Sequence, residues 1–308
     1  MLAARARRTG EVRSRAAIPR VVVFALLVAT LPLPATALTL TDMTGRPVTL
    51  PALPQRIISL VPSATEIIFA LGGDERLVGV TDFCDFPPAA RGKRSVGGMI
   101  APSLEIVTTL RPDLVIGTRE GNRHETFEQI RRLGIPVYLV HAGSVHEMMD
   151  VVGRLGGLTG RADAVGPLAT RLEQRVTAVS AAVKGLRRPR VLYVLWPDPL
   201  IVPARASLLT ELIGLAGGDS ITSTERGDYP RFSIEAAVAR APEVIVLADH
   251  GSGTGMQQRE KWERLKSLPA VRTGRLHSVD GSVLHRYGPR IVDGLEQLAR
   301  AIHPEAFR

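Results

Sequence analysis

Two stretches of the sequence, SLEIVTTLRPDLVI at residues 103–116 and FSIEAAVARAPEVIVL at residues 232–247, repeat one pattern. At a spacing of 130 residues a serine, a glutamate, a proline and an acid coincide, namely Ser103 with Ser233, Glu105 with Glu235, Pro112 with Pro242, and Asp113 with Glu243. In each stretch the serine is placed to cap a helix, the proline ends it, and the apolar run that follows is typical of a buried strand. The chain therefore contains the same helix-to-strand unit twice.

Strands and helices also alternate on both sides of these stretches, which favours parallel sheets with helical crossovers. The segment from about Ala162 to Lys184 interrupts the alternation because it is helical throughout, and at ~1.5 Å per residue it spans roughly 30 Å. The sequence predicts an α/β fold with two parallel-sheet α/β lobes, residues 38–160 and 187–308, bridged by one long α-helix within 161–186. The chain is long enough for a separate core in each lobe, and we expect a ligand cleft between them.

Three local patterns add detail to this prediction. The alternating residues 38–50 (LTLTDMTGRPVTL) predict a small β-hairpin. In PSATEIIFALGG (62–73), Ser63 and Glu66 have the spacing of a capping box at the start of a helix. The glycine-rich GSGTGMQQ (251–258) is interpreted as a flexible rim of the cleft.

The N-terminal 37 residues have the pattern of a secretory signal peptide. Six arginines and one glutamate precede the apolar run VVVFALLVATLPLP (21–34), and the small-residue motif Ala35-Thr36-Ala37 follows it. The run is shorter than the roughly 20 apolar residues that span a membrane. Cleavage near Ala37 would lower the formal net charge from +9 to +4. The basic character of the chain is thus largely a targeting signal, and a nucleic-acid partner loses its support.

Cysteine usage and motif content exclude other classes of protein. The one cysteine, Cys84, cannot form a disulfide within the chain, and no cysteine at the cleavage site could carry a lipid. We therefore expect a soluble exported monomer in the bacterial periplasm. The sequence contains no GxSxG, P-loop or GxGxxG motif, so we expect neither an enzyme nor a cofactor-dependent protein.

A longer stretch, RIISLVPSATEIIFALGGDERLVGVTDFCDFPP (56–88), resembles the start of the cobalamin (vitamin B12) receptors among the substrate-binding proteins of ABC transporters. LRPDLVIG (110–117) and GPRIVDGLEQLARAIHP (288–304) extend the resemblance to the end of the chain. It implies two α/β lobes bridged by a long helix, a corrinoid as transported ligand and an inner-membrane permease as partner. A ferric siderophore or haem receptor of the same superfamily is the alternative.

The resemblance also gives the repeated glutamates a role. In that family one glutamate on each lobe, similar in position to Glu105 and Glu235, docks onto arginines of the permease. A two-fold symmetric permease would offer one basic socket to each. The alternative is local, because an acid in the first turn of a helix is stabilised by the helix dipole without any partner.

Candidate ligand contacts come from loops that follow strands. Loop positions similar to Phe83, Met99, Tyr229 and Arg286 contact the ligand in the family. The residue pattern adds three further candidates, namely the aromatic rings of Phe86 and Trp196 and the polar side chain of Arg119. Met99 and Thr118 stand where the best-known member type carries tryptophans, which leaves the particular corrinoid open.

The histidines and the cysteine offer weaker alternatives. His141 and His146 are five residues apart, but a strand end and a helix start separate them, so no metal site is predicted. His285 and Tyr287 lie close enough in sequence to ligate a haem iron, which keeps the haem alternative open. Cys84 has no base near it in sequence and is interpreted as a small packed residue.

Overall fold

The computed structural model describes residues 37–119, 121–250 and 254–307. The predicted signal peptide lies outside the described residues except for Ala37, and so does the part of the glycine-rich segment at residues 251–253. Residues from Ala37 onward form one compact unit. Among the described helices, none is long and apolar enough to cross a lipid bilayer.

The N-terminal lobe begins with the predicted antiparallel hairpin and continues as alternating strands and helices. Its elements are β1 (Leu38–Thr41), β2 (Pro47–Leu50), β3 (Ile57–Ser59), α1 (Pro62–Ala70), β4 (Leu77–Val80), α2 (Leu104–Thr109), β5 (Leu114–Thr118), α3 (His124–Arg132), β6 (Val137–Val140) and α4 (Val145–Leu158). The strands β3 to β6 form a parallel four-stranded sheet in the order β4-β3-β5-β6. Every residue of β5 and β6 is buried, as expected for a sheet covered on both faces.

The bridging helix α5 (Ala162–Ala182) is 21 residues long and agrees closely with the predicted segment. It packs against α4 of the N-terminal lobe, and after it the chain enters the second lobe.

The C-terminal lobe repeats the same alternation with a few short additions. Its elements are β7 (Arg190–Val194), β8 (Trp196–Pro197), β9 (Leu200–Ile201), α6 (Leu208–Leu215), β10 (Asp219–Ser220), α7 (Ile234–Ala239), β11 (Val244–Asp249), α8 (Thr254–Glu263), α9 (Pro269–Arg272), β12 (Leu276–Asp280), α10 (Gly281–Leu284) and α11 (Ile291–Ile302). Its four-stranded parallel sheet has the order β10-β7-β11-β12. In both lobes the first strand of the sheet in chain order has the second strand on one side, at the sheet edge. The third strand lies on the other side of the first, and the fourth lies beyond the third. The predicted pair of similar α/β lobes is therefore confirmed.

The sequence repeat also holds at the level of atoms. The Ser103 hydroxyl accepts the N–H of Ile106 at 3.3 Å at the start of α2, and the Ser233 hydroxyl accepts the N–H of Ala236 at 3.0 Å at the start of α7. These N-caps satisfy backbone donors that the first turn of a helix leaves free. Both predicted caps are confirmed.

The two units also end alike. Arg111 and Ala241, each just before the proline, have φ values of 45° and 47°, a conformation that is uncommon for residues with a Cβ. An arginine at the start of the first sheet strand of each lobe, β3 or β7, binds the turn. Arg56 Nε donates to the Arg111 carbonyl at 3.2 Å, and Arg190 Nε donates to the Ala241 carbonyl at 3.0 Å.

The apolar core does not divide between the lobes as the sequence predicted. Each sheet has its own cluster on one face, but the other faces share one continuous cluster. The buried face of α5, with Leu168, Leu172 and Val179, belongs to that shared cluster, and α5 also packs against α6 and α11 of the C-terminal lobe. The prediction of separate cores is therefore wrong, because the bridging helix carries buried apolar side chains from one lobe to the other.

Two smaller predictions also need correction. α8 begins at Thr254, so most of the segment interpreted as a flexible rim is helical where the structure describes it. α1 begins at Pro62, and its N-cap Val61 has no side-chain cap, so Ser63 and Glu66 do not form a capping box.

A shared core predicts that the two lobes unfold together. Leu172→Ala should lower the free energy of unfolding by about 2–5 kcal/mol, because it leaves a cavity at the contact of the lobes. The exposed neighbour Glu173, changed to Ala, should alter the free energy of unfolding by less than about 0.5 kcal/mol. Urea unfolding followed by two signals checks this prediction. Fluorescence of the two tryptophans, Trp196 and Trp262, reports on the C-terminal lobe, while circular dichroism reports on both lobes. Two transitions that do not coincide would contradict a shared core.

Candidate functional site

A cleft of about 440 Å³ lies between the two lobes, at the carboxyl ends of their parallel strands. The N-terminal lobe contributes Thr118 at the end of β5 and Val140 at the end of β6, and the C-terminal lobe contributes Leu195 just after β7. Parallel α/β sheets bind ligands at this edge because the loops after the strands diverge there. The predicted cleft between the lobes is thus present in the structure.

The cleft wall is mostly apolar, with a small number of polar groups. Its described lining residues are Val61, Pro62, Ser63, Phe83, Met99, Thr118, Gly121, Val140, His141, Ala142, Val151, Leu195, Ile201, Tyr229, His285, Arg286 and Tyr287. Such a wall suits a ligand with broad apolar faces and a polar fringe.

Four of the predicted contact residues meet in this cleft. Phe83 and Met99 come from the N-terminal lobe, and Tyr229 and Arg286 come from the C-terminal lobe. Phe83 is 54% exposed, although it has a large apolar side chain. An apolar ring left open to solvent in a concave site is a typical ligand-binding feature.

The other three predicted residues do not line the cleft. Arg119 is exposed beyond the end of β5. Phe86 lies outside the cleft, with its ring 3.9 Å from the guanidinium carbon of Arg290. Trp196 lies on the short strand β8, where its indole N–H donates to the Asp198 carbonyl at 3.0 Å.

Trp196 nevertheless connects to the cleft through a set of rings, here called the aromatic stack: Trp196, His250, His285 and Tyr193. The centroids of the Trp196 and His250 rings are 5.4 Å apart, and those of His250 and His285 are 5.1 Å apart. His285 Nε2 is hydrogen-bonded to the buried Tyr193 hydroxyl at 2.9 Å. His285 is therefore the member of the stack that lines the cleft, and Trp196 is linked to it through His250.

His285 is uncharged at physiological pH. Burial, because the charged imidazolium would lose its hydration there, and to a smaller extent the neighbouring His250 lower its pKa from 6.5 to about 3. The sequence pattern identified His285 only as a haem-ligand alternative, since burial against another strand is not visible in a loop motif.

Two ion pairs join the lobes beside the cleft. Arg290 binds Glu66 of α1 through two hydrogen bonds, from Nη2 to Oε1 at 2.6 Å and from Nε to Oε2 at 3.0 Å. Arg286 binds Asp85 through Nη1 to Oδ1 and through Nη2 to Oδ2 at 3.4 Å. Both arginines belong to the C-terminal lobe and both acids to the N-terminal lobe, so these contacts hold the lobes together. Glu66 is therefore an inter-lobe partner, which explains why it is not a helix cap.

The surroundings of the four charges differ. The Glu66 side chain is only 2% exposed, and burial raises its pKa, although the hydrogen bonds from Arg290 oppose the rise. The hydrogen bond to Glu66 raises the pKa of Arg290. Asp85 is less buried; its desolvation opposes ionisation, but Arg286 outweighs it and lowers the pKa of Asp85. Asp85 is thus an ionised partner of Arg286 at neutral pH.

Polar residues behind the wall position the loops that form it. The Asn122 amide donates to the carbonyls of Met99 at 2.7 Å and Leu60 at 3.3 Å, and its oxygen accepts the N–H of Thr118 at 2.9 Å. Asn122 is therefore a buried loop anchor.

Cys84 and the histidines are the side chains that metal binding or nucleophilic chemistry would require. Cys84 is buried beside the hydroxyls of Thr65 and Thr81, at 3.2 and 3.3 Å from its sulfur, and burial raises the pKa of its thiol. Within the described part of the chain, no three His, Cys, Asp or Glu side chains come together in a manner that could hold a metal ion. His141 lines the cleft, but His146 is exposed on α4 and does not.

The repeated glutamates lie outside the cleft. Glu105 and Glu235 are both exposed, each as the second residue of its helix, α2 or α7. Neither side chain forms a hydrogen bond or ion pair with another described residue. Their positions relative to the local fold are the same in the two lobes, as the repeat requires.

Comparisons with known proteins agree with this architecture. A vitamin B12-binding protein of Vibrio cholerae is 30% identical over 244 residues, covering 79% of this chain and 87% of that protein. The crystal structure of the periplasmic vitamin B12-binding protein of Vibrio cholerae matches with a TM-score of 0.72 at 28% identity, over 83% of this chain and 99% of that one. A periplasmic haem-binding protein of Pseudomonas aeruginosa also has a TM-score of 0.72, at 30% identity, over 82% of this chain and 94% of that one.

The fold, the cleft and these similarities define an exported substrate-binding protein of a transport system, which captures a small molecule for a membrane permease. A family model described as Periplasmic binding protein matches residues 57–282. The chain therefore belongs to the periplasmic binding protein family, and the resemblance seen in the sequence is confirmed.

The low pKa of His285 predicts an acid-sensitive contribution to stability. Below pH 6.5 the unfolded chain takes up a proton at this residue, whereas the folded protein does so only near pH 3, so acid favours unfolding. Between pH 7 and pH 5 the free energy of unfolding of the wild type should therefore fall by about 2 kcal/mol more than that of His285→Gln. Urea unfolding at both pH values measures it. The exposed His146, changed to Gln, is the control, and this variant should keep the pH dependence of the wild-type free energy of unfolding. If His285→Gln also kept that pH dependence, the assignment of the acid sensitivity to His285 would be contradicted.

Proposed function

We propose that this protein captures cobalamin or a related corrinoid in the bacterial periplasm and delivers it to an ABC import permease. The observation that carries the proposal is the exposed ring of Phe83 in an apolar cleft between the lobes. Corrin rings have broad apolar faces, which flat side chains cover, and a fringe of amides, which a few hydrogen-bonding groups bind. The similarity to proteins named for vitamin B12 binding supports the same ligand class.

The cleft offers hydrogen-bonding groups at its edge as well as an apolar wall. Arg286, Ser63 and Thr118 line it from both lobes. Its volume of about 440 Å³ lies within the common range of ligand sites, about 300–1,000 Å³. A corrinoid is large, so it would hold one edge of its ring in the cleft and extend from the opening. No resident cofactor is needed, because the role is binding and release.

A haem receptor is the second candidate. His141, Tyr229, His285 and Tyr287 all line the cleft, and imidazole and phenol groups are ligands of haem iron. The similarity to the haem-binding protein of Pseudomonas aeruginosa favours the same alternative. The Tyr193 hydroxyl already binds Nε2 of His285, however, which makes His285 a weaker iron ligand. A ferric siderophore remains a third candidate of the same superfamily.

Delivery depends on docking, and Glu105 and Glu235 are the proposed docking charges. Each is exposed on a short capped helix, and the two helices occupy equivalent places in similar lobes. One acid per lobe complements a two-fold permease that presents one basic socket to each. We further propose that the signal peptide is cleaved near Ala37 and that the mature protein is a monomer.

Titration with cyanocobalamin tests the proposed ligand. The wild type should bind it, with heat release in calorimetry and co-elution of the red corrinoid on gel filtration. Phe83→Ala should weaken binding by about tenfold or more, because the ring contributes roughly 1.5–3 kcal/mol of buried apolar surface. Phe86→Ala is the matched control, since Phe86 packs on Arg290 outside the cleft, and it should retain affinity.

The same titration with haem and with a ferric siderophore separates the candidates. A wild type that ignores cyanocobalamin but binds haem would establish the second candidate in place of the first. Equal losses in Phe83→Ala and Phe86→Ala would contradict the assignment of Phe83 as a ligand contact.

Charge reversal tests docking separately from ligand capture. Glu105→Lys combined with Glu235→Lys should abolish uptake of labelled cyanocobalamin by cells that depend on this receptor, because two attractive contacts become repulsive. Affinity for cyanocobalamin should stay within about twofold, since both residues lie outside the cleft. Glu125→Lys, on the exposed first turn of α3, controls for the change in net charge and should leave uptake intact. A parallel loss of ligand affinity would rule out a pure docking role.

A further inference from the structure

The charges around the cleft are arranged in an unusual way. Among the described lining residues, Arg286 alone carries a permanent charge. An arginine in an otherwise apolar cleft is normally a strong attractor for carboxylates, which its guanidinium binds in a bidentate manner. A ligand with an anionic fringe would therefore be expected, unless something else neutralises that arginine.

Asp85 neutralises it. The carboxylate occupies the bidentate face of Arg286, with both of its oxygens in hydrogen-bond contact with the two Nη atoms. Asp85 is not among the described residues that line the cleft, and its side chain is 40% exposed beside Arg286. The Arg286 side chain is 18% exposed. It keeps further N–H groups that can donate hydrogen bonds, but Asp85 compensates its positive charge.

The neighbouring groups preserve this balance. Arg290, four residues along, is paired with the buried Glu66, so the two arginines and the two acids sum to zero charge. His285, beside Arg286 in the chain and in the cleft wall, is neutral at physiological pH because it is buried. Arg286 and Arg290 are thus each paired with an acid, and the wall near Arg286 presents hydrogen-bond donors whose charge is compensated.

This arrangement discriminates between two kinds of ligand fringe. An amide oxygen accepts from the remaining N–H groups of Arg286 and leaves the Asp85 contact intact. A carboxylate must either displace Asp85 or lie beside it as a second anion, and both carry a free-energy cost. A neutral amide fringe is therefore favoured over an anionic one.

We propose that Asp85 is a specificity-determining residue, which neutralises Arg286 and so makes the cleft select a ligand with an amide fringe over one with a carboxylate fringe. Asp85 does not contact the ligand and acts by positioning and compensating Arg286. The inference rests on the proposed corrinoid-binding function and assigns the chemical feature that the cleft selects.

Two corrinoids with the same macrocycle test this selection. Dicyanocobinamide carries amides around its ring, and dicyanocobyrinic acid carries carboxylates at the same positions. The wild type should bind the amide form at least about tenfold more tightly, and Asp85→Asn should shift the ratio of the two dissociation constants toward the carboxylate form by about tenfold. Asp85→Ser serves as a second variant if Asp85→Asn does not fold, as judged by thermal melting.

Controls separate a contact effect from a general charge effect. Asp82→Asn removes the same charge three residues earlier, from a carboxylate that accepts from the Ser95 hydroxyl and not from Arg286. It should leave the ratio within about twofold of the wild type.

The outcomes distinguish the inference from the function on which it rests. A wild type that binds both corrinoids equally well, or an equal shift in Asp82→Asn and Asp85→Asn, contradicts the inference and leaves corrinoid binding standing. A wild type that binds neither corrinoid contradicts the proposed function and, with it, the inference.

Discussion

The packing of α5 into both lobes is the constraint on which the rest of the structure depends. Its buried face joins the apolar clusters on the inner sides of the two sheets into one. On the same face of the helix Arg175 binds Asp293 and Glu296 of α11 at 2.7 and 2.8 Å, which ties α5 to the C-terminal lobe. Because the interior is close-packed, the sheets cannot shift relative to each other without opening voids. The carboxyl ends of the strands are thereby held across the cleft from each other.

Charged contacts complete what the apolar core begins. A buried ion pair contributes little net stability by itself, because desolvation offsets the attraction, but loss of one partner leaves an uncompensated buried charge. Glu66 and Arg290 therefore favour one relative position of the lobes more than they strengthen the fold. The same geometry governs the cleft, since Arg286 is fixed by Asp85 across the lobe boundary. Inter-lobe contact and ligand chemistry thus share one set of side chains, and the position of the lobes sets the charge that a ligand meets.

Much of the fold could be predicted because its signals are local. The repeated helix-to-strand units, the serine caps and the long uninterrupted helix depend on residues that are close in sequence, and the structure has each of them. Phe83, Met99, Tyr229 and Arg286 were expected at the cleft from the resemblance to cobalamin receptors, and all four line it. Glu66 was misread as a helix cap because a glutamate three residues after a serine fits a capping box equally well. Its true partner lies 224 residues away and leaves no trace in a local pattern.

The sequence by itself determined that this chain has two α/β units of one design, a helix between them and an exposed acid on each, because periodicity, capping and turns are decided within a few residues. Tertiary structure alone decided that the lobes share a core, that Phe86 packs against Arg290 outside the cleft, and that Arg286 reaches the cleft with its charge already compensated. Those outcomes depend on burial and on contacts between distant segments. A charge is attractive, neutral or costly only in relation to what surrounds it, and those surroundings exist only once the lobes have come together.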